Sequence, residues 1–206
     1  MTSTLQQEAG RKLGFSSSRT MRSAQGLYEQ GFITYMRTDS TTLSQTALDA
    51  ARRQIKELYE PGDLPDKPRL YQRKVKNAQE AHEAIRPAGD EFRTPQSVKG
   101  GMHPDQARLY ELIWKRTIAS QMADAKGQTR TLRLRANDAT GREVEFSVSG
   151  TTIQSPGFLK AYVEGSDDPA AELEGRDKHQ TPIEEGQGVK ADTLRPNGHE
   201  TQPPAR

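Results

Sequence analysis

Residues 31–40, GFITYMRTDS, decide how the first half of the chain is interpreted. β-Branched and aromatic residues at 32–36 lie between a glycine and a polar run, which is typical of a short strand that feeds a polar loop. Side chains two apart on a strand project from the same face. Tyr35 and Arg37 are therefore expected to share one site.

A tyrosine beside an arginine has a chemical and a structural interpretation. A free phenol has a pKa of about 10 and is a poor nucleophile at neutral pH unless a neighbouring cation stabilises the phenolate. A guanidinium can do this, and it can also bind a phosphate through two parallel hydrogen bonds. Alternatively, Tyr35 is simply one of six tyrosines and Arg37 only ends a strand. Spacing alone does not decide between the two.

Helical periodicity predicts three helices around this stretch. Ser16–Ser18 offer N-cap oxygens for a helix over about 19–30, and Gly31 supplies its C-cap. Ser44 begins a second helix that stops at Pro61, and Pro104 begins a third. The positions that repeat along one face of each helix are Met21, Ala24 and Tyr28, then Ala47, Ala51, Ile55 and Leu58, then Leu109, Leu112, Ile113, Arg116 and Ser120 beside Trp114.

The texture of the sequence changes after residue 127. Polar and apolar residues alternate over 129–136 and 143–150, and NDATG at 137–141 is the expected hairpin turn. Residues 158–163 and 188–195 are candidates for further strands, separated by an acidic stretch with glycines and prolines. We expect this stretch, near 164–181, to be a mobile loop.

A second group of polar residues occurs at 80–87, Glu-Ala-His-Glu-Ala-Ile-Arg-Pro. His82 lies between two carboxylates, and it would share a helix face with Arg86 if the segment were helical. Such a pair could bind a phosphodiester. A single histidine flanked by glutamates is more often a surface residue, and it is not a metal cluster.

Composition narrows the class of protein. The chain has no cysteine, which excludes disulfides and thiolate metal sites. No membrane span or signal peptide is apparent, so we expect no membrane partner and a cytoplasmic location. Residues 1–100 hold 16 Lys and Arg against 12 Asp and Glu, whereas 101–206 hold 14 against 16. The basic half, which includes a proline-rich basic loop at 61–76, is the candidate polyanion contact.

Four stretches resemble the bacterial type IA DNA topoisomerases. GFITYMRTDSTTLS at 31–44 resembles the active-site tyrosine segment of that family, and AQEAHEAIRP at 78–87 resembles its second signature, in the same order. The approach to the tyrosine, 2–31, and the helix at 108–123 are also similar. The resemblance covers residues 2–125 well and the rest less closely.

The resemblance implies a mechanism and roles for six residues. In it, Tyr35 attacks a single-strand phosphodiester and forms a 5′-phosphotyrosyl link, another strand passes through the gap, and the ends are rejoined without ATP. Arg37 would stabilise the attack and His82 would lie near the scissile position. The residues assigned to DNA binding are Thr34, Arg37, Asp39, His82 and, as a phosphate or structural partner, Arg86.

The resemblance also implies an α+β fold. A mainly helical domain with the active-site tyrosine, residues 5–125, would follow the end of an arch strand at 1–4. Residues 126–206 would form a β-rich arch or gate segment with the mobile acidic loop. The expected partners are single-stranded DNA and the remaining domains of the same polypeptide, within the bacterial nucleoid.

The family requires Mg²⁺, which the resemblance places in a domain preceding Thr2. We expect no metal to be bound by this chain, whose Asp167-Asp168 pair has no third ligand at useful spacing. Cleavage by the isolated chain should then be very weak or absent. Two alternatives remain open: a non-catalytic gate module that binds single-stranded DNA, and an interaction domain without a nucleic-acid role.

Overall fold

The structure is a computed structural model that describes residues 1–71, 83–162, 184–190, 192, 193 and 195. Its fold is α+β, as predicted, with helices in the first part and an antiparallel pair of strands after them. The α-helices in the described residues are α1 Thr2–Leu13, α2 Ser17–Glu29, α3 Gln45–Leu58, α4 Pro95–Val98 and α5 Pro104–Ser120. The strands are β1 Lys126–Asn137 and β2 Glu143–Ser155.

The chain begins with a helix, and the prediction that residues 1–4 end a strand is wrong. Helix α1 starts at Thr2 and buries Leu5 and Ala9, which are four residues apart and therefore lie on one face. Gly14 ends the helix in the left-handed conformation, at φ 67°. A glycine adopts this conformation without the steric cost that a Cβ brings.

The three predicted helices are confirmed close to their expected bounds. Ser16 accepts a hydrogen bond from the backbone N–H of Arg19 at the start of α2, and Ser44 does the same for Ala47 at the start of α3. At α5, Pro104 occupies the first turn and His103 is the N-cap residue. Capping side chains satisfy N–H groups that the first helical turn leaves without partners.

The hydrophobic core lies among α1, α2, α3 and α5. Its fully buried members include Leu27, Ile55, Leu109 and Ile118. A buried amide, Gln54 of α3, joins the core elements, because its Oε1 accepts a hydrogen bond from Trp114 Nε1 at 2.8 Å and its Nε2 donates to the carbonyl oxygen of Phe92. Both polar ends of this side chain are therefore satisfied.

Residues 32–36 do not form the predicted strand. The segment is held by one isolated antiparallel bridge between Ile33 and Pro87. Ile33 is buried, and from Tyr35 onward the side chains alternate: Met36 and Thr38 are buried, whereas Tyr35, Arg37 and Asp39 are exposed. The residues that favoured a strand are thus used to pack an extended segment against the helices.

The second half contributes a two-stranded ribbon among the described residues. Leu132 pairs with Val148 and Leu134 with Phe146, and the turn follows residue 137 as predicted. The predicted strand at 158–163 is wrong, because Gly157–Lys160 form a turn of 3-10 helix. No strand occurs in the described part of 188–195. The acidic loop predicted near 164–181 lies outside the described residues, as do residues 72–76 of the basic loop predicted at 61–76.

Candidate functional site

The chain reverses between α2 and the tyrosine segment. Gly31 has a positive φ of 73°, in the left-handed region, and its N–H donates to the carbonyl oxygen of Tyr28 at 2.9 Å. The N–H of Phe32 donates to the carbonyl oxygen of Leu27 at 2.8 Å. The reversal carries residues 32–35 back along the end of α2.

The residue before Tyr35 is fastened to a segment some fifty residues away. Thr34 Oγ1 donates to the carbonyl oxygen of Ala84 at 2.8 Å and accepts from the N–H of Arg86 at 3.0 Å. The backbone N–H of Thr34 donates to the carbonyl oxygen of Arg86 at 3.0 Å. These bonds bring the two sequence motifs together. They occupy the Thr34 hydroxyl, which the resemblance had assigned to DNA binding.

The other side of Tyr35 is fastened to the start of α1. Thr2 Oγ1 donates to the carbonyl oxygen of Met36 at 2.8 Å, and the N–H of Thr38 donates back to Thr2 Oγ1 at 3.0 Å. The backbone N–H of Thr2 also donates to the carbonyl oxygen of Thr38 at 2.9 Å. Tyr35 is therefore exposed on a backbone that is held on both sides.

The exposed residues of the segment form the candidate site. Tyr35 is 42% exposed, and its ring makes an edge-to-face contact with Tyr28 of α2, at 5.3 Å between ring centroids and 68° between planes. Arg37 and Asp39, two and four residues further along the chain, are also exposed. Arg37 makes no hydrogen bond or ion pair with the described part of the chain, so its guanidinium is available to a ligand.

Arg86 has a different position from the other predicted site residues. It is only 7% exposed, and its Nη1 donates to the carbonyl oxygens of Pro87 and Gly89 at 2.8 and 2.9 Å. Its Nη2 forms an ion pair with Glu83 at 2.7 Å. Of the two roles weighed from the sequence, these contacts favour the structural one, since the guanidinium is used within the protein.

Glu83, the ion-pair partner of Arg86, also contacts the start of α3. Its Oε1 accepts a hydrogen bond from the backbone N–H of Ser44, at the start of α3, at 2.8 Å. Burial acts to raise the pKa of the Glu83 carboxyl, but hydrogen bonds from Ser44 and Arg86 outweigh it and hold the pKa below its usual value. His82, the neighbouring predicted residue, lies outside the described residues.

A partly open cavity of about 350 Å³ lies beside the segment that carries Ala84, between α1, α5 and the turn at Gly157–Lys160. Three polar residues meet at its wall: the phenol of Tyr162 donates to the carboxylate of Glu8 and accepts from Arg116 Nη1 at 3.3 Å. Burial and the contact with Glu8 raise the pKa of Tyr162. This cluster was not predicted, because its members are far apart in the sequence.

The described residues contain neither a cluster of metal ligands nor a helix that could span a membrane. Within them, no group of three or more His, Asp or Glu side chains is arranged to hold a metal ion. Nor does any helix of the described ranges have the length and apolar character needed to cross a bilayer.

Comparisons with known proteins identify the family. Residues 1–206 match the profile of the DNA topoisomerase family over the whole chain, and the chain belongs to the bacterial type IA DNA topoisomerases. It is 59% identical to DNA topoisomerase 1 of Streptomyces coelicolor, covering 100% of this chain and 21% of that protein. It is 58% identical to DNA topoisomerase 1 of Mycolicibacterium smegmatis, covering 100% of this chain and 22% of that protein.

A solved structure agrees with this assignment. The chain is similar to full-length topoisomerase I from Thermotoga maritima, with a TM-score of 0.64 and 38% sequence identity, over 82% of this chain and 28% of that one. The chain thus spans about a fifth of the length of the curated relatives it matches. Family membership and the α+β fold are established by these matches.

Proposed function

We propose that the chain carries the nucleophile of a type IA topoisomerase, which relaxes negatively supercoiled DNA by cutting one strand and rejoining it. The observation that supports this most directly is the exposure of Tyr35 on a backbone held by Thr34 and Thr38, with an available cation at Arg37. A nucleophile must be reachable by its substrate and fixed in position. Tyr35 meets both requirements.

In the proposed reaction, the phenolic oxygen of Tyr35 attacks the phosphorus of a phosphodiester in a single strand. The phenol loses its proton as the new bond joins its oxygen to the 5′-side phosphate, the bond from phosphorus to the 3′ oxygen breaks, and the 3′ oxygen takes up one proton to become a hydroxyl. The link keeps the energy of the broken ester, so religation consumes no nucleotide. Strand passage takes place while the link exists.

Arg37 is proposed to bind the phosphate that Tyr35 attacks. Arg37 lies two residues from Tyr35, is exposed like it, and makes no hydrogen bond or ion pair within the described ranges. A cation in this position helps most where negative charge develops on the phosphate oxygens, in the transition state. Arg37 would therefore contribute more to cleavage than to the binding of DNA. We keep Asp39 and His82 as proposed DNA contacts, whereas Thr34 and Arg86 act through the backbone of the site.

Mg²⁺ is proposed to be bound elsewhere in the polypeptide. The described residues of this chain do not fit a metal site, since no three suitable side chains converge. The other proposed partners are single-stranded DNA, held mainly through its phosphates, and the remaining domains of the same protein in the nucleoid.

Covalent trapping tests the proposal. The matching segment of the Streptomyces coelicolor enzyme is replaced by this chain, and the chimera is mixed with end-labelled single-stranded DNA and Mg²⁺. We expect labelled protein that survives denaturant, and we expect Tyr35→Phe to abolish it. Tyr71→Phe changes a tyrosine of similar exposure, 45%, whose hydroxyl donates to the carbonyl oxygen of Ser120; it is the matched control and should retain the adduct.

The outcomes separate the proposal from its main alternative. An adduct that survives Tyr35→Phe would show that another residue is the nucleophile. If the chimera binds DNA but forms no adduct, the chain is a gate module that binds DNA without cleaving it.

A further inference from the structure

Tyr28 is the aromatic residue of α2 that contacts the candidate nucleophile. It lies in the last turn of the helix, where the neighbouring Leu27 is fully buried and fixes the helix against the core. The side chain of Tyr28 is 43% exposed, so it does not serve as a core residue. Its ring meets that of Tyr35 at 5.3 Å and 68°.

This contact follows from the reversal at Gly31. The hydrogen bond from the N–H of Gly31 to the carbonyl oxygen of Tyr28 closes the end of α2, and residues 32–35 then run back past it. Gln25 and Glu29 are hydrogen-bonded at 2.6 Å along the same helix, which further defines its last turns. Tyr28 therefore presents its ring from a rigid element, whereas Tyr35 presents its ring from an extended segment.

An exposed tyrosine side chain has several staggered rotamers of similar energy. Perpendicular aromatic pairs at this separation are attractive, because the positive edge of one ring faces the negative face of the other. The contact with Tyr28 therefore favours the Tyr35 rotamer seen in the structure over rotamers that point elsewhere. The contact therefore restricts the directions in which the phenolic oxygen can point.

We propose that Tyr28 is a positioning residue, which holds the ring of Tyr35 in the orientation needed for attack on the phosphodiester. This inference rests on the proposed function of Tyr35. It assigns the effect to the ring of Tyr28 and not to its hydroxyl. Tyr28→Ala should slow strand cleavage and religation while leaving the affinity for single-stranded DNA nearly unchanged, because the phosphate contacts remain.

The test uses the full-length chimera described above. Single-turnover cleavage of a labelled oligonucleotide should be about threefold to tenfold slower in Tyr28→Ala than in the parent chimera, the range expected for loss of one aromatic contact. Tyr28→Phe keeps the ring and should restore the rate. The shape of the pH profile of cleavage should be the same in all three proteins, because no ionising group is proposed at position 28.

Leu58→Ala is the matched control, since Leu58 is 50% exposed at the end of α3, outside the site, and its loss should leave the rate unchanged. Equal cleavage rates in Tyr28→Ala and the parent would overturn the inference. So would a rate in Tyr28→Phe as low as in Tyr28→Ala, or a loss of DNA affinity as large as the loss of rate. If Tyr35→Phe still forms the adduct, the proposed function fails as well, and that result is separate from any effect at Tyr28.

Discussion

Thr34 links the two motifs of the site through a single side chain. Its hydroxyl donates to Ala84 and accepts from the N–H of Arg86, at 2.8 and 3.0 Å. Valine has nearly the same shape as threonine but can do neither. The position therefore offers a way to remove the link while retaining the volume of the side chain.

We expect Thr34→Val to lower the free energy of unfolding by about 1–3 kcal/mol, because it leaves the partly buried N–H of Arg86 without its acceptor. Urea denaturation of the isolated chain measures the change. Thr34→Ser, which keeps the hydroxyl, should lose much less. A valine variant as stable as the serine variant would show that the hydroxyl bonds do not hold the two segments together.

The single residues of the site were predictable to different degrees. The spacing of Tyr35 and Arg37 and their resemblance to a known motif predict them as site residues, and both are exposed in the structure. The contacts of Thr34 were not predictable, because its partners are fifty residues away in the sequence. Tyr28 was counted among the residues at helical spacing on the core face. The neighbouring Leu27 takes that place in the structure, which leaves Tyr28 to meet Tyr35.

Among the elements, the start of α3 is stabilised by hydrogen bonds to residues 83 and 84. Glu83 accepts the N–H of Ser44, and the N–H of Ala84 donates to the carbonyl oxygen of Thr42 at 2.8 Å. A carboxylate at a helix N-terminus is favourable because the helix dipole is positive there. The ionised form of Glu83 thus stabilises both α3 and the segment that holds Thr34.

This arrangement predicts a dependence of stability on pH. The pKa of Glu83 in the folded chain lies below its usual value of 4.5, so the unfolded chain binds the proton more tightly. The ionised Glu83 carboxylate makes its full contribution to the stability of the fold above the pKa of Glu83 in the unfolded chain. This contribution is lost as the pH falls through the pKa of Glu83 in the folded chain. Denaturation between pH 7 and pH 3 should show a smaller fall in stability for Glu83→Gln than for the parent. Identical pH dependence in the two proteins would contradict this role.

Elements were predicted best where local chemistry determines them. The helices α2, α3 and α5 carry capping residues and apolar positions at helical spacing, and these are properties of neighbouring residues. Strands need partners that the local sequence does not specify. Residues 32–36 have strand-forming side chains but only one bridge, and Gly157–Lys160 form a 3-10 turn where a strand was predicted to begin.

At the scale of the molecule, the ribbon returns to the helices at Gly157. This glycine has φ 48°, and a Cβ built on it would lie 2.4 Å from the carbonyl oxygen of Asp124 and 2.5 Å from that of Ala123. The next N–H, of Phe158, donates to Ala123 at 2.9 Å. Lys160 then forms ion pairs with Glu60 and Asp63 at 2.9 and 2.8 Å. After β2, the backbone at Gly157 and Phe158 therefore packs closely against the backbone of Ala123 and Asp124.

We expect Gly157→Ala to destabilise the chain by about 2 kcal/mol or more, since it adds a backbone clash to the cost of a positive φ. Gly141→Ala is the matched control. Gly141 also has a positive φ, of 85°, but a Cβ there meets nothing within 4 Å. Thermal unfolding of the two variants separates the two costs. Equal losses would show that the contact with Ala123 and Asp124 relaxes freely.

The hydrogen bonds on the two sides of Tyr35 determine how the segment would resist a pulling force. If the tyrosine is joined to DNA as proposed, tension in the strand pulls on the protein backbone at this one residue. The pull is divided between the bonds of Thr34 to the 84–86 segment and the bonds of Thr38 to the start of α1. Several hydrogen bonds on each side of Tyr35 must then break together before the segment separates from the rest of the protein. The gap in the DNA can thus be kept under tension while the protein end of the link stays in place.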